Sequence, residues 1–374
     1  MKQTNAAEDR ARNANLTKEE RLRAFKRVIL HPRLMAAGQA LDEAIRAPGD
    51  ALFIFICGPA SVGKTTLKNY ALHRDRERAS ILSLLARPPL NGSFSWREFL
   101  QRGISTLEQP LIDHKDTIGV DNDEEHTHLA QPGESWSGSR PLKRIRDDDL
   151  RISLETAIKR RRPAAVIIDD AQHLGRVSGI HQLQNQLDCL KSTAETAETV
   201  YVLIGTYELL PLLNVSAQAT ARSFFIHFPR YGSTDEELSQ FKDVLSAFQD
   251  LLPFEEETGI LLKQWEFCYE RSLGCVGILH HMLVRAVHAA LWADEKTLSE
   301  GYLKRHAPSE ADCYVMLHEI HEGERECAFN PGRTELRKML GLMPQVAFNR
   351  EVPVGSQRST IRVKERKPTR DVME

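Results

Sequence analysis

Five short apolar runs are spread through the middle of the chain, and each is apolar at consecutive positions rather than at alternate ones. They are Leu52–Cys57, Ile81–Ala86, Ala164–Ile168, Val200–Ile204 and Phe224–Phe228. Strands of a parallel sheet that is covered by helices on both faces have this pattern. The segments between the runs are long enough to hold helices. The pattern therefore predicts a doubly wound α/β domain over about residues 48–232, with a five-stranded parallel sheet.

The flanking segments have different patterns. Residues 17–47 have helical periodicity, with a capping box formed by Thr17 and Glu20 and a break at Pro32. Residues 233–329 show helical patterns only, which predicts a smaller helical module. Three polar segments lack periodicity, and we expect them to be a disordered start, a flexible insertion and an extended basic tail. They are residues 1–16, about 109–147, and 330–374.

The composition is that of an ordinary globular chain. Of 374 residues, 41% are hydrophobic and 27% charged, and the net charge is −2. Nucleic-acid binding would therefore need a local basic patch. There is no run of 18 apolar residues, and the first ten residues lack the apolar core of a signal peptide. We expect a cytoplasmic protein with no membrane partner.

A complete phosphate-binding motif, G-x-x-x-x-G-K-[ST], follows the first apolar run and precedes a helical stretch. The glycines allow backbone N–H groups to point at phosphate oxygens, the lysine reaches the β- and γ-phosphates, and the threonine hydroxyl can bind Mg²⁺. The motif predicts ATP and Mg²⁺ as cofactors. The predicted binding residues are Gly58, Pro59, Ala60, Ser61, Val62, Gly63, Lys64, Thr65 and Thr66.

Four more residues complete a candidate catalytic set with Lys64. Asp169 and Asp170 end the third run, where P-loop ATPases place a Mg²⁺-binding Asp and an acid that orients the attacking water. Thr206 follows the fourth run, and ligands bind at the carboxyl ends of such strands. Arg222 precedes the fifth run and is a candidate arginine finger for the nucleotide of a neighbouring subunit.

These motifs resemble those of the AAA+ ATPases of DNA transposition, the TnsC/TniB family. The resemblance lies in Ile167-Ile-Asp-Asp-Ala-Gln-His-Leu174, Ile204-Gly-Thr206 and Phe228-Pro-Arg-Tyr231, which follow the phosphate loop in that order. It implies an AAA+ strand order and a helical lid. It also implies rings or filaments of the protein on double-stranded DNA, which mark a target, recruit a transposase and respond to a TniQ-like target-selection partner.

Two features depart from the family pattern. Asp170 stands where family members usually have Glu, and its shorter side chain leads us to expect slow hydrolysis. In addition, many AAA+ lids supply an Arg to the γ-phosphate from the start of a lid helix. Arg271 and Arg285 flank the corresponding stretch, and neither is in obvious register.

DNA contacts would come from Lys and Arg side chains that meet phosphates. We favour the segment after the second run, with Arg87, Ser93, Arg97 and Arg102, because loops at that end of the sheet would face the pore of a ring. Two further basic clusters are residues 143–146 and 159–162. A solvated helix face is the competing interpretation for each.

Three other functions stay open at this level: a P-loop kinase, a replication-initiator or helicase-loader ATPase, and a nucleotide-dependent switch that does not bind DNA. A kinase would need an acceptor pocket with a general base, and no such group of residues is evident.

Overall fold

The five predicted strands form one parallel sheet. The computed structural model describes residues 16–74, 81–89, 92–108, 146–177, 179–215, 217–254 and 258–342. The strands are β1 (Phe53–Cys57), β2 (Ile81–Leu85), β3 (Ala165–Asp169), β4 (Val200–Gly205) and β5 (Ser223–His227). Their order is β2-β3-β4-β1-β5, and all neighbours are parallel. The predicted strands are confirmed, with ends shifted by no more than one residue.

Helices connect the strands and follow the sheet. Before the sheet and between its strands lie α1 (Lys18–Phe25), α2 (Pro32–Arg46), α3 (Lys64–Arg74), α4 (Trp96–Glu108), α5 (Asp147–Arg161), α6 (Ile180–Ala197), α7 (Leu210–Asn214) and α8 (Ala217–Ala221). After β5 come α9 (Asp235–Asp250), α10 (Ile260–Lys263), α11 (Trp265–Ser272), α12 (Val276–Trp292), α13 (Glu300–His306), α14 (Glu310–Cys327) and α15 (Gly332–Met339). Thr17 and Glu20 form the predicted capping box of α1, and Pro32 begins α2.

Alternate residues of the three central strands β3, β4 and β1 belong to two separate cores, one on each face of the sheet. Phe53 and Phe55 of β1 point into a core with helices α4, α5 and α6, whereas Ile54 and Ile56 point into a core with α2 and α3. Successive side chains of a strand lie on opposite faces, so a strand that is covered on both sides must be apolar at every position. This geometry explains the consecutive apolar runs of the sequence.

The helical module after β5 has a core of its own, and α1 packs in it. Leu22 and Phe25 of α1 contact the core formed by α9, α11, α12 and α13, while α2 packs on the sheet. We refer to the module of residues 235–327 as the lid. The segment 26–31 between α1 and α2 therefore runs from the lid to the α/β domain.

Residues 329–342 are the described part of a second unit, which begins at Phe329. Within it, Gly332–Met339 is helical, so the prediction of an extended chain from residue 330 is wrong for this stretch. Gly332 has a positive φ of 79°, which glycine adopts without strain, and the helix begins there. Residues 1–15, 109–145 and 343–374, which hold most of the predicted disordered start, insertion and tail, lie outside the described residues.

Across the described ranges, no single helix is long and apolar enough to cross a bilayer. Helices α11 and α12 meet the length and composition only as a pair, and the pair is bent by 116° at its break.

Candidate nucleotide-binding site

The phosphate loop curls between β1 and α3 through three unusual backbone positions. Gly63 and Ser61 have φ angles of 119° and 56°. Gly58 lies so close to the backbone that follows β5 that an added Cβ would come 2.1 Å from the carbonyl oxygen of Phe228. Only glycine fits at residue 58, and Gly63 adopts a conformation that disfavours other residues. The motif glycines therefore have structural causes that are independent of any ligand.

Lys64 begins α3, and its ammonium group lies over the loop. Its Nζ donates hydrogen bonds to the carbonyl oxygens of Gly58 and Pro59, at 3.0 and 2.7 Å. Burial lowers the pKa of Lys64 to about 8. A partly desolvated cation in this loop is placed to attract phosphate oxygens, because a Coulomb interaction is stronger away from water.

Asp169 ends β3 and forms an ion pair with Lys68, one helical turn after Lys64. The Lys68 Nζ lies 2.7 Å from the Asp169 Oδ2, and the Asp169 Oδ1 accepts a hydrogen bond from the Asp170 N–H at 3.1 Å. Thr65 and Lys68 are three positions apart on α3 and so share a face of the helix. The structure thus brings the Lys64–Lys68 turn, with Thr65 in it, to the buried carboxylate of Asp169.

A Mg²⁺ ion fits this donor set as a cofactor bound together with nucleotide phosphates. Mg²⁺ usually keeps several waters and takes one or two carboxylates plus substrate phosphates. Asp169 would supply the carboxylate and Thr65 the hydroxyl. Within the ranges that the structure describes, there is no cluster of three or more His, Cys, Asp or Glu that could hold a metal by itself.

Asp170 and Thr206 both lie at the carboxyl ends of strands, Asp170 after β3 and Thr206 after β4. Asp170 has a left-handed backbone conformation (φ 53°) and an exposed side chain. Thr206 follows β4, whose Gly205 pairs in register with Cys57 before the phosphate loop. Gln172 lies between the two: its Nε2 donates to Asp170 Oδ1 at 3.4 Å, and its Oε1 accepts from the Thr206 N–H at 3.3 Å.

A cleft beside the loop separates the α/β domain from the lid. Its empty volume is about 450 Å³, and its walls come from the 26–31 segment, from the loop and α3, and from the start of α12. The lining residues include Lys26, Ile29, Gly63, Thr66, Val276 and His280. A cleft of mixed apolar and cationic character next to a phosphate loop has the chemistry for a nucleoside.

The first turn of α12 touches the phosphate loop directly. A Cβ added at Gly277 would lie 2.2 Å from the carbonyl oxygen of Ser61, so glycine permits this contact. Arg271, one of the two candidate lid arginines, instead donates to Glu310 at 2.8 Å and to the carbonyl of Pro308. These partners belong to the lid and not to the loop.

Arg222 lies at the amino ends of the strands, whereas the phosphate loop of the same chain lies at their carboxyl ends. Ser223 is in register with Phe53 at the start of β1, whereas the loop follows Cys57. Four steps along a strand span about 13 Å. The Arg222 guanidinium donates to Glu195 at 2.9 Å and to the carbonyl of Asp50 at 3.0 Å. In this arrangement Arg222 does not contact its own chain's nucleotide site.

The four candidate DNA-binding residues lie near the end of β2 and along α4. Arg87 and Arg102 line one shallow depression, and Ser93 lines another. Arg97 is paired with Asp147 at 2.6 Å, and Arg102 with Glu98 on its own helix. The pairing reduces the net positive charge that this surface presents.

Sequence reasoning missed three contributors to the site. Lys68 is four positions after Lys64, and this helical spacing was the available signal. Gln172 was visible only as part of the Asp-Ala-Gln-His-Leu motif. The cleft residues of the 26–31 segment had no signal, because their position depends on how α1 packs on the lid.

The fold and the site together are those of a P-loop nucleotide-binding protein of the AAA+ type, with this strand order and a helical lid. Residues 46–213 match the protein-family model described as "AAA domain". The AAA+ fold that the resemblance implies is confirmed.

Several solved structures are similar in shape. The Aeropyrum pernix ORC2 protein in its ADP form has 13% identity and a TM-score of 0.47, over 76% of this chain and 71% of that one. Cdc6p from Pyrobaculum aerophilum has 13% identity and a TM-score of 0.46, over 75% and 67%. Domain III of the Thermotoga maritima replication initiation protein DnaA has 10% identity and a TM-score of 0.42, over 79% and 95%. No curated protein sequence matches the chain.

Proposed function

We propose that this protein is a cytoplasmic AAA+ ATPase that binds ATP with Mg²⁺ and oligomerises on double-stranded DNA. In this proposal it regulates DNA transposition: it marks a target site and recruits a transposase in response to a TniQ-like target-selection protein. Each active site forms between two copies of the chain. Lys64, Thr65, Asp169, Asp170 and Thr206 come from one copy, and Arg222 comes from the next.

The observation that carries the shared site is the position of Arg222. Its side chain is 37% exposed and lies at the amino ends of the strands, away from the phosphate loop of its own chain. A neighbouring copy can therefore approach it. A guanidinium inserted from outside stabilises the charge that develops on the transferred phosphoryl group, and such fingers contribute about 10³- to 10⁵-fold in rate.

The transposition role rests on the motif resemblance. The Ile167–Leu174 and Phe228–Tyr231 segments support it, and the structure gives both segments defined positions. The first holds Asp169, Asp170 and Gln172. In the second, Arg230 forms a two-pronged ion pair with Glu324 of the lid, at 2.9 and 3.2 Å. The motif thus joins the α/β domain to the lid.

A mixing experiment tests the shared site. K64A removes the phosphate-binding lysine, and R222A removes the finger, so each variant alone should hydrolyse ATP at a small fraction of the wild-type rate. In a mixture, the phosphate loop of an R222A copy can meet the Arg222 of a K64A copy. We expect the mixed sample to exceed the sum of the separate activities. Activity that only adds would overturn the shared site.

Glu195→Gln is the matched control for Arg222→Ala. It removes the same ion pair but keeps the guanidinium. We expect E195Q to retain wild-type activity, because an exposed pair of this kind contributes only about 0–1 kcal/mol to stability. If E195Q loses as much activity as R222A, the ion pair rather than the finger is what matters.

Electron microscopy with duplex DNA and a slowly hydrolysed ATP analogue tests the assembly. Rings or filaments that form only with both ligands support the proposal, whereas single copies contradict it.

R87E and R97E should weaken DNA binding and flatten its dependence on salt, because each removes a phosphate contact. Assemblies that form on DNA but never recruit a transposase would favour the replication-initiator or helicase-loader alternative.

A further inference from the structure

Gln172 is a buried polar residue between two groups of the nucleotide site. It lies in the short 3₁₀ turn Ala171–Gly175 that follows Asp170, and only 8% of its surface is exposed. Its side chain reaches Asp170 with the amide nitrogen and the Thr206 backbone with the amide oxygen. Both polar ends of one side chain are thus engaged within the site.

The backbone at Gly205 leaves room for this arrangement. A Cβ added at Gly205 would come 2.7 Å from the Gln172 Oε1. The glycine before Thr206 therefore lets the amide lie against the end of β4. Through Gln172, Asp170 at the end of β3 is thus connected to Thr206 at the end of β4.

Asp170 needs such a tie more than a typical residue would. Its backbone is left-handed, a conformation that non-glycine residues rarely adopt, and its side chain points to solvent. A carboxylate on a short, exposed side chain has several rotamers of similar energy. A hydrogen bond from a buried amide favours one of them.

We propose that Gln172 is a positioning residue for ATP hydrolysis: its amide orients the Asp170 carboxylate and couples that orientation to the position of Thr206. This inference rests on the proposed function, since it assumes that Asp170 orients the attacking water. When Thr206 moves to contact a γ-phosphate, its N–H shifts Gln172, and Gln172 shifts Asp170.

The competing explanation is that Gln172 only supports the turn at Thr206. Two variants separate the explanations because they remove different contacts. Gln172→Glu keeps an oxygen that accepts from the Thr206 N–H, but it replaces the donor to Asp170 with a second carboxylate. Gln172→Met keeps the size of the side chain and removes both contacts.

The experiment measures kcat, KM for ATP, and binding of a fluorescent ATP analogue, with Mg²⁺ and duplex DNA. We expect kcat to fall roughly ten- to a hundredfold in both variants, because a misplaced catalytic group loses that much rate. KM and analogue binding should stay within about twofold, since Gln172 is not placed against the phosphates. Q172E should be at least as slow as Q172M.

Gln184→Met is the matched control. Gln184 is a half-buried glutamine of α6 that donates one hydrogen bond of 3.4 Å to the Val215 carbonyl, away from the site. It should keep wild-type kcat. A Q172E variant with wild-type kcat beside a slow Q172M variant would overturn the proposal in favour of simple support. Wild-type kcat in both variants would overturn it as well. A wild-type chain that binds ATP and never hydrolyses it would instead overturn the proposed function itself.

Discussion

The buried ion pair between Lys68 and Asp169 allows the free energy of unfolding of a variant to be predicted. Both side chains are mostly buried, with 17% and 8% of their surfaces exposed, and their charged atoms are 2.7 Å apart. Removing one partner of a buried pair leaves the other charge desolvated and uncompensated, which typically costs about 3–5 kcal/mol. Because Lys68 keeps some exposure, we expect K68M to lose roughly 3 kcal/mol, at the lower end of that range.

The assay is urea unfolding of the full chain, with EDTA or with Mg²⁺. In EDTA, K68M should unfold at a lower urea concentration than the wild type. Added Mg²⁺ should change the stability of either protein little in the absence of nucleotide, because the site takes the ion together with phosphates. The double variant D169N/K68M should be more stable than K68M, since no buried charge is left without a partner.

Lys304→Met is the matched control. Lys304 pairs with Glu300 on an exposed helix surface, with 60% and 43% of the two side chains exposed. Exposed pairs of this type contribute about 0.3–0.5 kcal/mol, so K304M should be nearly neutral. A cost for K68M no larger than that for K304M would mean that the fold does not desolvate the Asp169 carboxylate.

Three further predictions concern other parts of the molecule. His31 is buried against Tyr231 with its pKa lowered to about 4 by burial, so its contribution to stability is complete above pH 6.5 and is lost as the pH falls toward 4. The loss is on the order of 3 kcal/mol, and the urea midpoint of wild type should fall more steeply over this range than that of H31Q. Gly323→Ala places a Cβ 2.0 Å from the ring of Tyr207 and should cost about 1–3 kcal/mol in thermal unfolding, whereas Gly301→Ala, which meets only Ser299 Oγ at 3.7 Å, should not destabilise. Asp170→Glu should raise steady-state ATP hydrolysis on the order of tenfold by extending the carboxylate toward the water, and an unchanged or lower rate would show that the short acid is not what limits turnover.

The sequence alone was enough to place the strands and the phosphate loop. Consecutive apolar residues can be buried on both faces of a strand only in a covered sheet, so the five runs determined the strands closely. The glycines of the loop mark backbone angles and close approaches, which are local properties of Gly58 and Gly63. Helix 332–339 escaped prediction because it is only eight residues long and none of them is buried.

The tertiary structure decided what surrounds the loop. Lys68 meets Asp169 across 101 positions of sequence, and Gln172 meets Thr206 across 34, because the strand order places β4 beside the loop strand and β3 next to β4. It also separated Arg222 from its own loop, since the parallel register fixes the two at opposite ends of adjacent strands. The apolar pattern indicates which residues are buried, but different orders of the same strands would bury these residues equally well. The partners of the polar residues therefore follow only from the assembled sheet and lid.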